Sequence, residues 1–203
     1  MAYPTVAGPY GFQPINLIGG QVFAGATRQI PIASGSGTSI FYGDVVRLNT
    51  GGTLSRVSTT DSATDAVGIF LGCAFTNPTT KQFLPQQYYP SGTVASDIVA
   101  YVCDDPDTYF KVAVLSDSTT IGGMTQTDIG NNVAILATAG STTTGDSKEG
   151  VSATTGSTTT LPFRVIAGIP ETVNASGSFT EVIVKFNFGV LTYYSATAVA
   201  TAA

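Results

Sequence analysis

The chain has 203 residues, and only 10% of them are charged against a usual share of about 25%, while 31 threonines and 17 serines supply hydroxyls in place of charge. That length buries a full core without metal or disulfide staples. The net charge of −5, with four Lys and four Arg scattered singly, leaves no basic stripe for phosphates, and the absence of histidine removes Ser-His-Asp and Cys-His catalysis.

No stretch approaches the roughly 20 apolar residues that cross a bilayer, and the first residues lack the basic-then-apolar order of a secretory signal. The expectation is a chain with no membrane and no nucleic-acid partner, working where it is made or as part of a particle. Any enzyme chemistry would have to run on carboxylates, Lys or Tyr.

Residues 1–20 are too rich in proline for a helix and too apolar for a free tail, with Pro4, Pro9 and Pro14 set among Tyr3, Tyr10, Phe12, Ile15, Leu17 and Ile18. Two readings stay open. One is an extended aromatic arm that lies in a groove of its own domain or on a neighbouring subunit, with Tyr3, Pro4, Pro9, Tyr10, Phe12, Pro14 and Leu17 as candidate partner contacts; the other is an ordinary first strand.

Beyond the arm, short strands follow one another. "GDVVRL", "GTLSRVS", "AVGIFLGCAF" and "DIVAYV" are bounded by Gly, Asp and Asn, the usual punctuation between strands. Cys73 falls in step with Val67, Ile69 and Leu71, which predicts an inert core thiol. Cys73 and Cys103 are too few for a zinc site, and they pair only if their strands are neighbours. "QQYYP", Gln86 to Pro90, is a candidate glycan-stacking patch, with core packing as its ordinary reading.

The next strand, "TYFKVAVL", sets Phe110, Val112 and Val114 opposite Lys111. Between it and "DIVAYVC" lies "DDPD". Asp104, Asp105 and Asp107 around Pro106 fit a tight turn, in which Pro presets φ and Asp carboxylates accept from nearby amides; a Ca²⁺ site is the sharper alternative but lacks the spacing and Gly of an EF-hand loop. Thr125 followed by Asp128 predicts one capped helical turn before the strand "NVAILA".

Residues 138–160 contain "GSTTT" twice and few apolar side chains, so they read as a surface loop, with a hairpin protruding around Lys148 to Val151. "PFRVIAGI" then turns Phe163, Val165, Ala167 and Ile169 inward and Arg164 outward. "EVIVKFNF" puts Val182, Val184, Phe186 and Phe188 on one face with Glu181, Lys185 and Asn187 on the other, only Ile183 breaking the alternation. Of the three glutamates, Glu149 and Glu171 read as loop-borne and solvated, and Glu181 as pointing away from its strand's apolar face. None has the apolar setting that acid catalysis needs.

The fold expected is all-β, a compact barrel or sandwich of about eight strands with little helix. The arm spans 1–20, one β domain 21–190, and a C-terminal tail 191–203.

The stretches "AYPTVAGPYGFQPINLIGGQVFAGATRQIPIA", "FYGDVVRL", "VGIFLGC", "VAYVCDDPDTYFKV", "PFRV" and "EVIVKFN" resemble a family of virion structural proteins of tailed bacteriophages, particularly those of marine cyanobacteria and other marine bacteria. The resemblance implies a virion component. Within that family, the size, the missing long helix and the acidic charge suit a decoration or cement protein on the outer capsid better than a major capsid protein or a DNA-facing lining. The implied partners are the major capsid protein and further copies of this chain, as dimer or trimer, with no cofactor and no metal. A host-glycan recognition protein of a fibre or tail is the alternative, and a carboxylate glycosidase a third reading.

Overall fold

In the computed structural model, which describes residues 8–57, 65–187 and 190–191, twelve strands form two six-stranded sheets. The all-β expectation holds. The first sheet takes β1 (Gln13–Leu17), β8 (Thr108–Leu115), β10 (Gly150–Gly156), β9 (Asn132–Leu136), β11 (Phe163–Gly168) and β12 (Glu181–Phe186) in that order, and β12 pairs back onto β8. Strands β8, β10, β9, β11 and β12 therefore close a five-stranded barrel, which leaves these strands no long open edge. All its ladders are antiparallel except β8 with β10.

The second sheet runs β2 (Arg28–Pro31), β7 (Val99–Cys103), β5 (Ala66–Thr76), β3 (Val45–Leu48) and β4 (Leu54–Arg56), with β6 (Phe83–Gln86) also on β5. A parallel bridge from Ile32 to Leu54 joins the end of β2 to β4, so this sheet curls on itself.

Alternation in the sequence explains the barrel core. Phe110, Val112 and Val114 of β8, Val133 and Ile135 of β9, Phe163 and Val165 of β11, and Val182, Val184 and Phe186 of β12 all fall in one buried cluster. A second core, with Ile30, Ile40, Val46, Phe70 and Tyr89, fills the inside of the curled sheet.

Strand β5 separates the two cores and is buried on both faces. Its pairing slips twice, against β3 near Val67 and against β7 between Phe70 and Cys73, where Gly72 takes a φ of 136°. The slips break the alternation expected there. Ile69 and Leu71 face the barrel core, whereas Val67, Phe70, Cys73 and Phe75 face the second. Gly68 is required at the β5–β7 crossing, since a Cβ there would lie 2.2 Å from the carbonyl oxygen of Cys103.

Three of the twelve strands were not anticipated, β2, β6 and β10, and of the two readings of residues 1–20 the structure takes the first strand, β1. The most consequential is β10, which occupies the segment expected to protrude as a hairpin. Instead Val151 is buried and Gly150 lets Leu115 approach, a Cβ there falling 2.6 Å from it. Val151 and the small Ala153 suffice for the inward positions of a narrow barrel, so the segment's low apolar content concealed a central strand.

The turn expected at Thr125 forms over Gln126–Asp128, the Thr125 amide donating to Asp128 Oδ2 at 2.8 Å. Leu191 bridges to Ala66, while the rest of the expected tail, with Phe188, lies outside the described residues.

Candidate interaction surface and buried charge cluster

The N-terminal segment lies along its own barrel. Strand β1 pairs with β8, Pro14 standing opposite Phe110 and Leu17 opposite Thr108. Phe12 is fully buried, stacks on Phe163 with ring centroids 4.5 Å apart, and donates its amide to the Gly43 carbonyl at 2.9 Å. Its ring fills this chain's core and is not available to a partner, which corrects its place among the candidate contacts. Aromatic burial of this size outweighs what a solvated arm would gain.

Tyr10 is half-buried and donates to Glu181 Oε1, which also meets Lys111 Nζ at 3.1 Å; the same ammonium sits 5.5 Å from the Tyr10 ring centroid. Burial and the Glu181 carboxylate push the Tyr10 phenol far above its ordinary pKa. Pro9, Pro14 and Leu17 are half-buried, and Tyr3 and Pro4 lie outside the described residues.

What the segment does present is its tip. The Gly19–Gly20 turn is closed by Leu17 N–H donating to Gln21 O at 2.7 Å and by the Asn16–Val22 bridge, and it leaves Ile18 48% and Val22 75% exposed. Ile18 N–H donates to Asp107 O at 2.9 Å, tying this tip to the acidic turn. A second exposed pair, Phe83 and Val94, each 64% exposed, adjoins a recess of about 350 Å³ lined by Thr76, Pro78, Lys81, Ala95, Ser96 and Asp97. Sequence reasoning counted Ile18 among the segment's apolar residues without making it a contact, and passed over Val22, Phe83 and Val94 because they belong to no alternating pattern.

The acidic turn between β7 and β8 is built as a turn. Asp105 Oδ1 accepts from Asp107 N–H at 2.8 Å, Asp104 pairs with Arg28 at 2.9 Å, and Asp107 pairs with Lys185 at 2.9 Å. The first contact holds the loop and the other two answer cations on β2 and β12.

Both tyrosines of "QQYYP" are engaged within the fold. Tyr89 is fully buried with its hydroxyl on Thr93 O, and Tyr88 stacks against Phe41 at 5.4 Å. Cys73 and Cys103 are both free and buried, and they belong to different cores although β5 and β7 are neighbours. Burial pushes the two thiols up to about 12 and about 11.

Glu149 departs furthest from expectation, whereas Glu171 is exposed as its loop setting implied. Glu181 is buried, and Glu149 has no exposed surface at all. Glu149 enters a cluster with Asp44, also fully buried, and Arg56 of β4. Arg56 Nε is 3.1 Å from Asp44 Oδ2 and 3.0 Å from Glu149 Oε1, and its Nη2 is 3.0 Å from Glu149 Oε1 and donates to Thr138 O. Backbone amides complete the shell, Phe41 N–H to Asp44 Oδ2 at 2.8 Å and Val45 N–H to Glu149 Oε2 at 2.9 Å. Burial raises Asp44 to about 6 and Glu149 well above the usual range, in spite of Arg56.

A lone Glu in a Thr/Ser-rich segment gives no sequence signal for such a site, because its partners come from residues about a hundred positions away. Two carboxylates with raised pKa resemble an acid–base pair. Both are sealed from solvent, however, and offer a substrate no face. The arrangement joins the 138–149 segment to β3 and β4. Comparison with protein-family models, curated proteins and solved structures found no match.

Proposed function

We propose that this protein is a structural component of a tailed-bacteriophage virion, seated on the outer capsid surface at junctions between capsomers and holding the expanded shell together. The observation that carries this reading is the pairing of a rigid, hydroxyl-clothed β scaffold with apolar side chains held out on braced tips, Ile18 and Val22 foremost. The sequence resemblance supports it. So does the internal pairing of Arg28, Arg47, Arg56, Lys111 and Lys185 with carboxylates, which suits an acidic outer surface better than a DNA lining.

Binding works by mass action. A module that recognises only the expanded shell stabilises it by RT ln(1 + [L]/Kd), about 2.7 kcal/mol per site at a hundredfold excess over Kd, repeated over every occupied site. Self-association as dimer or trimer on the shell would add avidity. The braced tip loses little conformational entropy on docking, so its apolar area is used efficiently.

The test is co-sedimentation with expanded phage heads that lack the protein, scored as copies bound per head. Saturation at a fixed multiple of the capsomer number, lost in Ile18→Asp/Val22→Asp, supports the proposal. Absence of binding, with attachment to host cells instead, replaces it with host-surface recognition. Deleting residues 2–18 is the wrong perturbation, because it removes Phe12 and β1 from the core.

A further inference from the structure

The Asp44–Arg56–Glu149 cluster holds two carboxylates and one guanidinium, with side-chain exposures of 0%, 0% and 11%. Fully ionised, it would bury one uncompensated negative charge, and an unpaired buried charge is among the costliest features a fold can carry. Arg56 is the cation acting on both carboxyls. Of the other charged groups nearby, Asp146 is engaged by Gln87 at 2.5 Å and acts on Tyr42, Lys148 points to solvent, and Arg47 is answered by Asp65 at 3.4 Å.

The polar atoms of the cluster are unequally served. Asp44 Oδ2 and both oxygens of Glu149 receive N–H donors, whereas Asp44 Oδ1 is buried without a well-formed hydrogen bond, and the buried Ser147 hydroxyl acts on that carboxyl more weakly than burial does. An ionised carboxylate would leave this oxygen desolvated and poorly served, a cost that protonation of the carboxyl lessens.

The same residues clasp four separate pieces of chain. Glu149 O accepts from Gly11 N–H at 3.2 Å, Glu149 Oε2 reaches β3, Arg56 comes from β4, and Thr138 O closes the far end of the loop. Tyr42 and the 145–147 stretch exchange backbone bonds of 3.0 and 2.9 Å alongside.

We propose that Asp44 and Glu149 share one bound proton around neutral pH, and that this proton locks the 138–149 loop and the N-terminal segment onto β3 and β4, making the cluster a base-sensitive latch. The inference concerns the fold and stands whether or not the protein decorates a capsid. The titration belongs to the pair rather than to either residue.

The sign follows from linkage. The native state keeps a proton that the unfolded chain gives up near pH 4, so stability falls as pH rises through the pair's native titration and levels off above it. One retained proton corresponds to a tenfold rise in the unfolding equilibrium constant per pH unit. Asp97, Asp117 and Asp128, whose values are lowered, act at more acidic pH, and the thiols titrate at more alkaline pH, so the window from pH 5 to 7.5 isolates the cluster.

Two measurements test it. Urea unfolding of the full chain between pH 5 and 7.5 is expected to show that tenfold-per-unit loss, and Asp44→Asn, which supplies the neutral isostere, to flatten it and become the more stable protein at pH 7.5. A flat profile for the unaltered chain, or the same slope in Asp44→Asn, overturns the proposal. Infrared spectra of the unaltered protein near pH 6 do not depend on any variant folding. They should contain the C=O band of a protonated carboxylic acid, which disappears on raising the pH; its absence near pH 6 likewise overturns the proposal.

Discussion

Replacing Phe12 by alanine tests whether the N-terminal segment belongs to this domain or to a neighbour. The ring is fully buried and stacks on Phe163, which lies 4.5 Å from Phe186, itself edge-on to Phe110 at 5.6 Å. Truncating such a phenylalanine costs about 3–5 kcal/mol through lost transfer energy and the cavity left behind. A domain of this kind has roughly 5–15 kcal/mol in total. At about 2–4 °C per kcal/mol for 150–250 residues, a loss near 4 kcal/mol lowers Tm by about 8–16 °C. Urea unfolding should show a lower midpoint at unchanged slope, since the same surface is exposed. Phe12→Leu, which refills most of the volume, should recover more than half of the loss. A loss below about 1 kcal/mol for Phe12→Ala would refute the core assignment and return the segment to the role of a free arm.

Arg56→Met leaves Asp44 and Glu149 buried without their cation and should destabilise by about 3–5 kcal/mol at neutral pH, read by the same urea titration. Tyr10→Phe removes the donor to Glu181 while Lys111 remains, so a smaller loss of about 1–2 kcal/mol is expected. Gly68→Ala pushes a methyl into the Cys103 carbonyl and should lower Tm by more than any surface change, measured by calorimetry. Ile18→Asp/Val22→Asp should leave the urea midpoint within about 0.5 kcal/mol of the parent while abolishing head binding. Cys73 and Cys103 should resist iodoacetamide at pH 8 until denaturant is added, because burial holds both as thiols.

The legible parts of this protein were those whose reasons are local. Strands β8, β9, β11 and β12 alternate apolar and polar residues within a few positions, and the "DDPD" turn and the Thr125–Asp128 cap need only neighbours in sequence. That pattern determined an all-β chain with short strands and an inert thiol at Cys73. It could not place β10, whose inward positions are one valine and one alanine, because the need for a glycine on its other face arises only where Leu115 closes in from another strand.

Tertiary structure alone decided the burial of Glu149 and the clustering of Asp44 with Arg56. Hydropathy counts a glutamate as solvated, and the compensation that permits otherwise comes from a guanidinium 93 residues away and an amide 104 residues away. It also decided that Phe12 serves its own core, since an aromatic arm reads the same in sequence whether its groove belongs to its own chain or to another. Periodicity records which side of a strand is dry; which partners make it dry is settled only when distant segments meet.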